Sequence, residues 1–340
     1  MKKKKRMLAA ALAGLLCLGL AGCGSQASEK KSQGESRAQT QAEQKEGDSG
    51  QEELSIGVLK IADSFPVYAA QEEGIFQKKG LKVNIVEFQS ASDQSVAYEA
   101  GKLDGMMTDM IVQSLVNKST GDKGMKTVAM AFGGTQEEGR FLLVSTPGSS
   151  VKKPQDLKGC KIGISENTMM EYLVTSYLKD LDVDLSQVEL VNVPKLTLRL
   201  DSVIEGKDIQ AAILPDPLAM EAEARGCNTV IDDTKLGKNY SQSVFTLSNE
   251  VIENKPEIAD KYVAAINEAI DEIDKDPDHF ADLFAEKANV APAVRDKYTV
   301  PSYTASCVPT EDEVSSIEDW MVSKGLIDKA YTYDEMVRQQ

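Results

Sequence analysis

From Leu54 onward, short apolar runs alternate with amphipathic stretches. This alternation restricts the fold more than any other feature of the 340-residue chain. Residues 54–59 read as a strand that ends in a polar turn at Lys60, Asp63 and Ser64, and residues 66–79 as a helix. Residues 81–88 (LKVNIVEF) alternate apolar and polar side chains, the period of a strand. A Ser/Asp-rich turn opens a helix at 90–100 that stops at Gly101, and 103–108 is a short strand. Asp109 is placed to cap a helix over 109–118, and strands follow at 126–132 and 140–145. Such a βαβαβ pattern predicts a mainly parallel sheet covered by helices on both faces.

The pattern then restarts. Strands are expected at 161–165, 188–193, 209–214 and 229–231, with helices at 167–181, 196–205 and 217–225 between them. One more strand, 244–247, precedes a helical tail at 255–274, 278–288, 292–298 and 310–324. The expected fold class is therefore α/β with two lobes. Residues 54–145 plus 245–340 form lobe 1, the helical tail packing back on it, and 146–244 form lobe 2. Two chain crossings, near Ser145 and Val244, make a hinge with a cleft between the lobes.

The first residues stand apart from this body. Basic residues at 2–6, an apolar run at 8–20 and then Leu20-Ala21-Gly22-Cys23 form a secretory leader, with an apolar run too short to span a bilayer. The Leu-Ala-Gly-Cys ending resembles a bacterial lipoprotein signal, which implies cleavage after residue 22 and lipid on Cys23. Residues 23–53 are rich in Ser, Gln, Glu, Lys and Gly, and too polar to bury a core. As a coil they would tether the body about 30 Å from a membrane. Loss of the five basic residues of the leader takes the formal charge from −16 to −21, which argues against nucleic acid or an anionic lipid surface as a direct partner. After Cys23 the cysteines are Cys160, Cys227 and Cys307, without metal-ligand spacing; they read as small buried thiols, or two of them as a disulfide that spacing cannot assign. His279 is the only histidine and lies in a polar stretch, so no metal site, catalytic triad or cofactor is expected.

The run IGVLKIADSFPVYAAQEEGIFQKKGLKVNIVEF is similar to the opening of ABC-transporter substrate-binding proteins of the nitrate/sulfonate/taurine type. AYEAGKLDGMMTD, PQDLKGCKIGIS and VNVPKLTLRLDSVIEGKDIQAAILPDPLAMEAEARG continue the resemblance in the family's order. It implies a type II periplasmic-binding-protein fold and a small ligand in the interlobe cleft. It also implies delivery to an ABC permease and its ATPase, by a monomer lipid-anchored on the extracytoplasmic face. The same fold carries enzymes of thiamine-pyrimidine-synthase and menaquinone-pathway type, and an enzyme is the alternative reading; an adhesin or sensor is a third.

In open α/β sheets ligands bind beyond the carboxyl ends of the strands. Those ends nominate Asp63, Ser64 and Phe65, then Ser90, Ser92 and Asp93, then Thr108 and Asp109, then Gly133, Gly134 and Thr135. In lobe 2 they nominate Ser165, Glu166, Asn167 and Thr168, then residues 194–197 with Arg199 beyond, then Asp216. Ser90, Ser92 and Asp109 serve equally well as helix caps. Phe65 offers a stacking face, with Asp63 and Ser64 as orienting groups. Glu166 and four strand-end aspartates (Asp63, Asp93, Asp109 and Asp216) oppose an anion at the helix N-terminus after Thr168, where the family's sulfonate and nitrate binders hold theirs. A neutral or cationic nitrogen heterocycle therefore stands beside a sulfonate as the expected ligand.

Overall fold

The structure, a computed structural model, describes residues 52–339. The expected leader at 1–22, Cys23 and the tether up to residue 51 lie outside the described residues. Ten strands run in the order β1 Glu52–Leu59, β2 Leu81–Phe88, β3 Gly105–Asp109, β4 Met125–Phe132, β5 Phe141–Ser145, β6 Lys161–Ile164, β7 Glu189–Asn192, β8 Ala211–Pro215, β9 Asn228–Asp232 and β10 Ser243–Ser248. The helices are α1 Phe65–Glu72, α2 Ile75–Lys78, α3 Ala91–Glu99, α4 Met110–Thr120, α5 Met169–Asp180, α6 Leu196–Glu205, α7 Leu218–Ala224, α8 Asn249–Asn254, α9 Pro256–Lys275, α10 Ala281–Lys287, α11 Glu311–Ser323 and α12 Tyr333–Met336.

The strands form two five-stranded sheets, ordered β2-β1-β3-β10-β4 and β7-β6-β8-β5-β9. In each sheet the first three strands are parallel, and the fourth position is filled by an antiparallel strand arriving from the other half of the chain. That exchange moves one expected boundary. Phe141–Ser145 does not close lobe 1; it pairs with β8 and β9 in the second sheet, so the first crossing falls between Phe132 and Phe141. Both sheets have a vacant slot at that position, and an apolar five-residue run does not announce which slot it fills. β10, starting at Ser243, pairs with β3 and β4 in the first sheet. The expected tether is also two residues too long, because Glu52 and Glu53 pair with Leu81 and Lys82 of β2 and so begin β1.

Local chemistry accounts for other boundaries. The helix expected over 66–79 breaks at Gly74, whose φ of +64° suits a residue without Cβ. The stretch 292–298 is a series of turns and not a helix; Pro292 lies at its start, and Val294 and Lys297 donate to the carbonyls of Ala291 and Val294, three residues back. Helix α9 keeps Ile258, Tyr262, Ile266, Ile270 and Ile273 on one buried face, the spacing of an amphipathic helix. It packs on lobe 1, with Tyr262 stacked on Phe76 at 5.9 Å. Helix α1 is covered by α9 and α10, which is why nearly all of its residues are buried. Cys160, Cys227 and Cys307 are all free thiols. Among the described residues, no helix is long and apolar enough to cross a membrane.

Candidate ligand-binding cleft

The carboxyl ends of β1 and β3 in the first sheet face the carboxyl ends of β6 and β7 in the second, and a small cavity lies between them. Its volume is about 50 Å³, room for about four water-sized groups. Leu59, Ile61, Ala91, Met107, Phe141, Met169, Met170, Pro194 and Leu196 supply apolar walls. Asp63, Ser90, Gln94, Thr108, Asp109, Ser165, Thr168, Arg199 and Ser243 supply the polar groups.

Several of the polar groups are held by hydrogen bonds. Ser90 caps α3, accepting the N–H of Asp93 at 3.1 Å, and Thr168 caps α5, accepting the N–H of Met170 at 3.2 Å. Gln94 reaches from α3 to donate to the carbonyl of Met107 at 2.9 Å. Asp109 caps α4 through the N–H of Val112 at 2.9 Å, and its other oxygen accepts the N–H of Met169 in lobe 2 at 3.1 Å. The cleft is therefore closed, with one carboxylate set between the N-termini of two helices. Burial raises the Asp109 carboxyl to about 6, partly offset by the backbone N–H groups it accepts. Lys324, just after α11, ion-pairs with Glu171 of α5, and Tyr172 meets Trp320 edge-on at 5.4 Å, so the lobes also touch outside the cavity.

Two charged groups in the wall have no such partners. Asp63 is 2% exposed; one carboxylate oxygen makes no hydrogen bond, and burial raises the group to about 6. The Ser243 hydroxyl lies near enough to favour the charged form without meeting hydrogen-bond geometry. Arg199, on α6, is fully buried; desolvation alone pulls its guanidinium down to about 9. Its stem runs past Gly163 of β6, where a Cβ would stand 3.4 Å from the Arg199 Cγ. One nitrogen donates to the carbonyl of Val193 at 3.1 Å, while Nε and Nη2 have no partner among the described residues. Since Pro194, next in the chain, lines the cavity, the guanidinium sits at the cleft end of β7. Thr108 Oγ1 and Ser243 Oγ, also in the wall, are buried without a partner too.

Of the residues nominated from strand ends, Asp63, Ser90, Thr108, Asp109, Ser165, Thr168, Pro194, Leu196 and Arg199 line this cavity. Others do not. Phe65 is no stacking face: it is buried in the core of lobe 1, edge-on to Phe284 at 4.9 Å and to Phe280 at 6.1 Å. Ser64 is buried beside it, its hydroxyl without a partner. Glu166 is exposed, and Asn167, in the left-handed region at φ +58°, donates its N–H to Glu171 at 2.8 Å. Asp216 is held by Arg140 through two hydrogen bonds, 2.7 and 2.9 Å, and accepts the N–H of Met220 of α7 at 3.1 Å. Thr135 lies with Arg140 and Asp216 in a separate depression beside the crossing segment. Gln94, Met170, Phe141 and Ser243 are additions that strand-end reasoning missed. Gln94 is one helical turn past its cap, and Phe141 and Ser243 begin the two crossing strands, whose sheet membership only pairing reveals. Cys160, Cys227, Cys307 and His279 all lie away from the cavity, His279 exposed and 2.8 Å from Glu73.

The profile of the NMT1-like family matches residues 47–287. A protein of Brachyspira hyodysenteriae named as an ABC transporter periplasmic binding protein is 26% identical over 239 residues, 66% of this chain and 66% of that one, just under two thirds of its length. A binding protein of Brucella abortus is 25% identical over 275 residues, 78% of this chain and 81% of its own. Among solved structures, the periplasmic aliphatic sulphonate binding protein of Escherichia coli superimposes with a TM-score of 0.67 at 17% identity, covering 84% of this chain and 97% of that one.

Proposed function

The chain belongs to the NMT1-like family, and on that premise we propose that it is the extracytoplasmic solute-binding subunit of an ABC importer. The observation that carries this reading is the cavity between the two sheets, walled by strand ends of both and holding buried polar atoms without partners on Asp63, Thr108, Arg199 and Ser243. Leaving such atoms unmet is costly, and a ligand touching both lobes meets them. Such a ligand binds the closed arrangement better than an open one and shifts the population toward it. The relatives named for binding and for ABC transport support the reading, as does the fold shared with a sulphonate-binding protein. Binding is preferred to catalysis because the two relatives are named as binding proteins, and among the described residues no cysteine or histidine lines the cavity. Capture and release to a permease and its ATPase need only the hinge and the two lobes, and the subunit acts as a monomer.

The Leu-Ala-Gly-Cys sequence at 20–23 supports anchoring through lipid on Cys23 after cleavage of residues 1–22, with the polar segment to residue 51 as the tether. A Cys23→Ser chain is expected to leave the membrane fraction. The deciding experiment for the main reading is native mass spectrometry of the purified protein combined with a thermal-shift screen of small solutes. A bound small molecule that raises the Tm and compacts the protein in solution supports transport. If no co-purified molecule is found and no solute of a broad library stabilises the protein, the binding role fails.

A further inference from the structure

We infer that the C-terminal end of α11 is a latch between the lobes: Lys324 and Trp320 grip the first turn of α5 and set how often the cavity opens, whatever the cavity takes. The contacts lie outside the ligand wall, since none of Asn167, Glu171, Tyr172, Trp320 and Lys324 lines the cavity. Trp320 and Lys324 stand four residues apart and so share a helix face, with Lys324 Nζ 5.1 Å from the centre of the Trp320 ring. Across the gap, Lys324 ion-pairs with Glu171 and donates to Asn167 Oδ1 at 3.4 Å. The Asn167 N–H, donated to the other Glu171 oxygen at 2.8 Å, orients the carboxylate for that pair. Lys324 follows the last residue of α11 and Glu171 lies in the first turn of α5, so each charge sits at the helix end that favours it.

An apolar contact backs the ion pair. Tyr172 belongs to α5 of the second lobe, yet it is buried with Met110, Ile111, Val314, Ile317 and Met321 of the first. Its ring meets Trp320 edge-on at 5.4 Å, and meets Tyr240, between β9 and β10, at 5.8 Å. Opening the lobes draws this ring out of the first lobe. It also takes Glu171, whose side chain is only 8% exposed, away from its cation. The closed arrangement is therefore favoured by contacts that need no ligand. Met169 and Met170, on the gripped turn, wall the cavity. A solute passes when that turn swings away, so release of the latch precedes entry and exit alike. Because the latch is made equally with the cavity empty or full, it governs the rate of exchange more than the affinity.

The test needs no ligand and uses the full chain. Met169 is the first residue of α5, so its N–H has no acceptor within the helix and is held by Asp109 across the cleft. Its hydrogen exchange, read by mass spectrometry with electron-transfer fragmentation, therefore counts openings of the lobes. Lys324→Met keeps the stem over Trp320 and removes the charge. It is expected to speed that exchange about tenfold, and Glu171→Gln likewise. Lys324→Arg keeps both the charge and the ring contact and should match the parent. Amides inside β3 and β6 should keep their parent rates in all three variants, which separates opening of the lobes from loosening of the fold. Exchange at Met169 within about twofold of the parent in Lys324→Met would overturn the inference. So would an acceleration shared equally by β3 and β6, since Lys324 would then be a general stabiliser and not a latch. Neither outcome bears on the binding role, which is tested with solutes.

Discussion

Asp109, at the end of β3, accepts the backbone N–H of Met169, at the start of α5, across the cleft at 3.1 Å. The same side chain caps its own helix through Val112. One carboxylate thus joins a local task to a bond between lobes. Asp109→Asn keeps an oxygen for the cap, since Asn caps about as well as Asp, but presents an amide nitrogen to the Met169 N–H. The unliganded variant is expected to lose about 1 kcal/mol of stability and to show a larger radius of gyration in X-ray scattering. Scattering identical to that of the parent would mean that the contacts of Lys324 and Tyr172 hold the closed state without it.

Asp63 makes a pH prediction whose sign follows from burial. Its folded carboxyl is raised to about 6 from an ordinary value of 3.8, so between those values the folded state binds more protons than the unfolded one. The penalty for the buried charge is present in full above pH 6 and is relieved as pH falls toward 4. Asp63→Asn should therefore stabilise the unliganded protein at pH 7.5, by on the order of 2–3 kcal/mol, and by much less near pH 4. Asp109 and Asp233 titrate in the same direction but are common to both proteins, so the difference in Tm between parent and variant isolates Asp63. A difference that does not vary with pH would mean that Asp63 is not held charged and buried.

Arg140 and Asp216 form a structural pair beside the first crossing, not part of the ligand wall. Asp216→Asn or Arg140→Gln should each lower stability by about 2 kcal/mol, because Arg140→Gln leaves the buried Asp216 carboxylate without its cation and Asp216→Asn leaves Arg140 with Glu223 alone. The double variant should cost less than the sum of the two. Ligand affinity should change by less than about twofold, since neither residue lines the cavity. A large loss of affinity with unchanged stability would return Asp216 to the binding site.

At Gly105, β3 packs tightly against β10. A Cβ there would lie 2.2 Å from the carbonyl oxygen of Thr246 and 2.9 Å from Leu247 Cδ2. A backbone carbonyl in the middle of a sheet cannot swing aside as a side-chain tip can. Gly105→Ala should cost about 3 kcal/mol or more in urea unfolding, with a normal slope if the two sheets otherwise persist. A loss under about 1 kcal/mol would contradict the pairing of Gly105 with Leu247.

The caps were legible because a cap is a short-range object. Ser90 and Asp109 each bond an N–H three residues ahead, and a polar residue before an apolar helical period signals it. Phe65 and Asp216 were misread because strand-end position says nothing about which way a side chain turns. Phe65 turns into lobe 1 because Phe280 and Phe284, more than 200 residues later, pack against it. Asp216 turns away because Arg140, 76 residues earlier, is there to hold it.

The sequence by itself determined the period of every major element, the α/β class, the two-lobed plan and the strand ends from which a cleft is built. These rest on alternation at two residues, recurrence near 3.6 and capping chemistry, all of which act within a few positions of the chain. Only the tertiary structure decided that Phe141–Ser145 joins the second sheet. It also decided that Asp109 answers the N-terminus of α5, 60 residues away, and that Asp63 and Arg199 keep buried polar atoms without a partner among the described residues. Those outcomes depend on which vacant slot a strand fills and which charges burial brings together. Both are set by contacts between distant segments, and no local pattern encodes them.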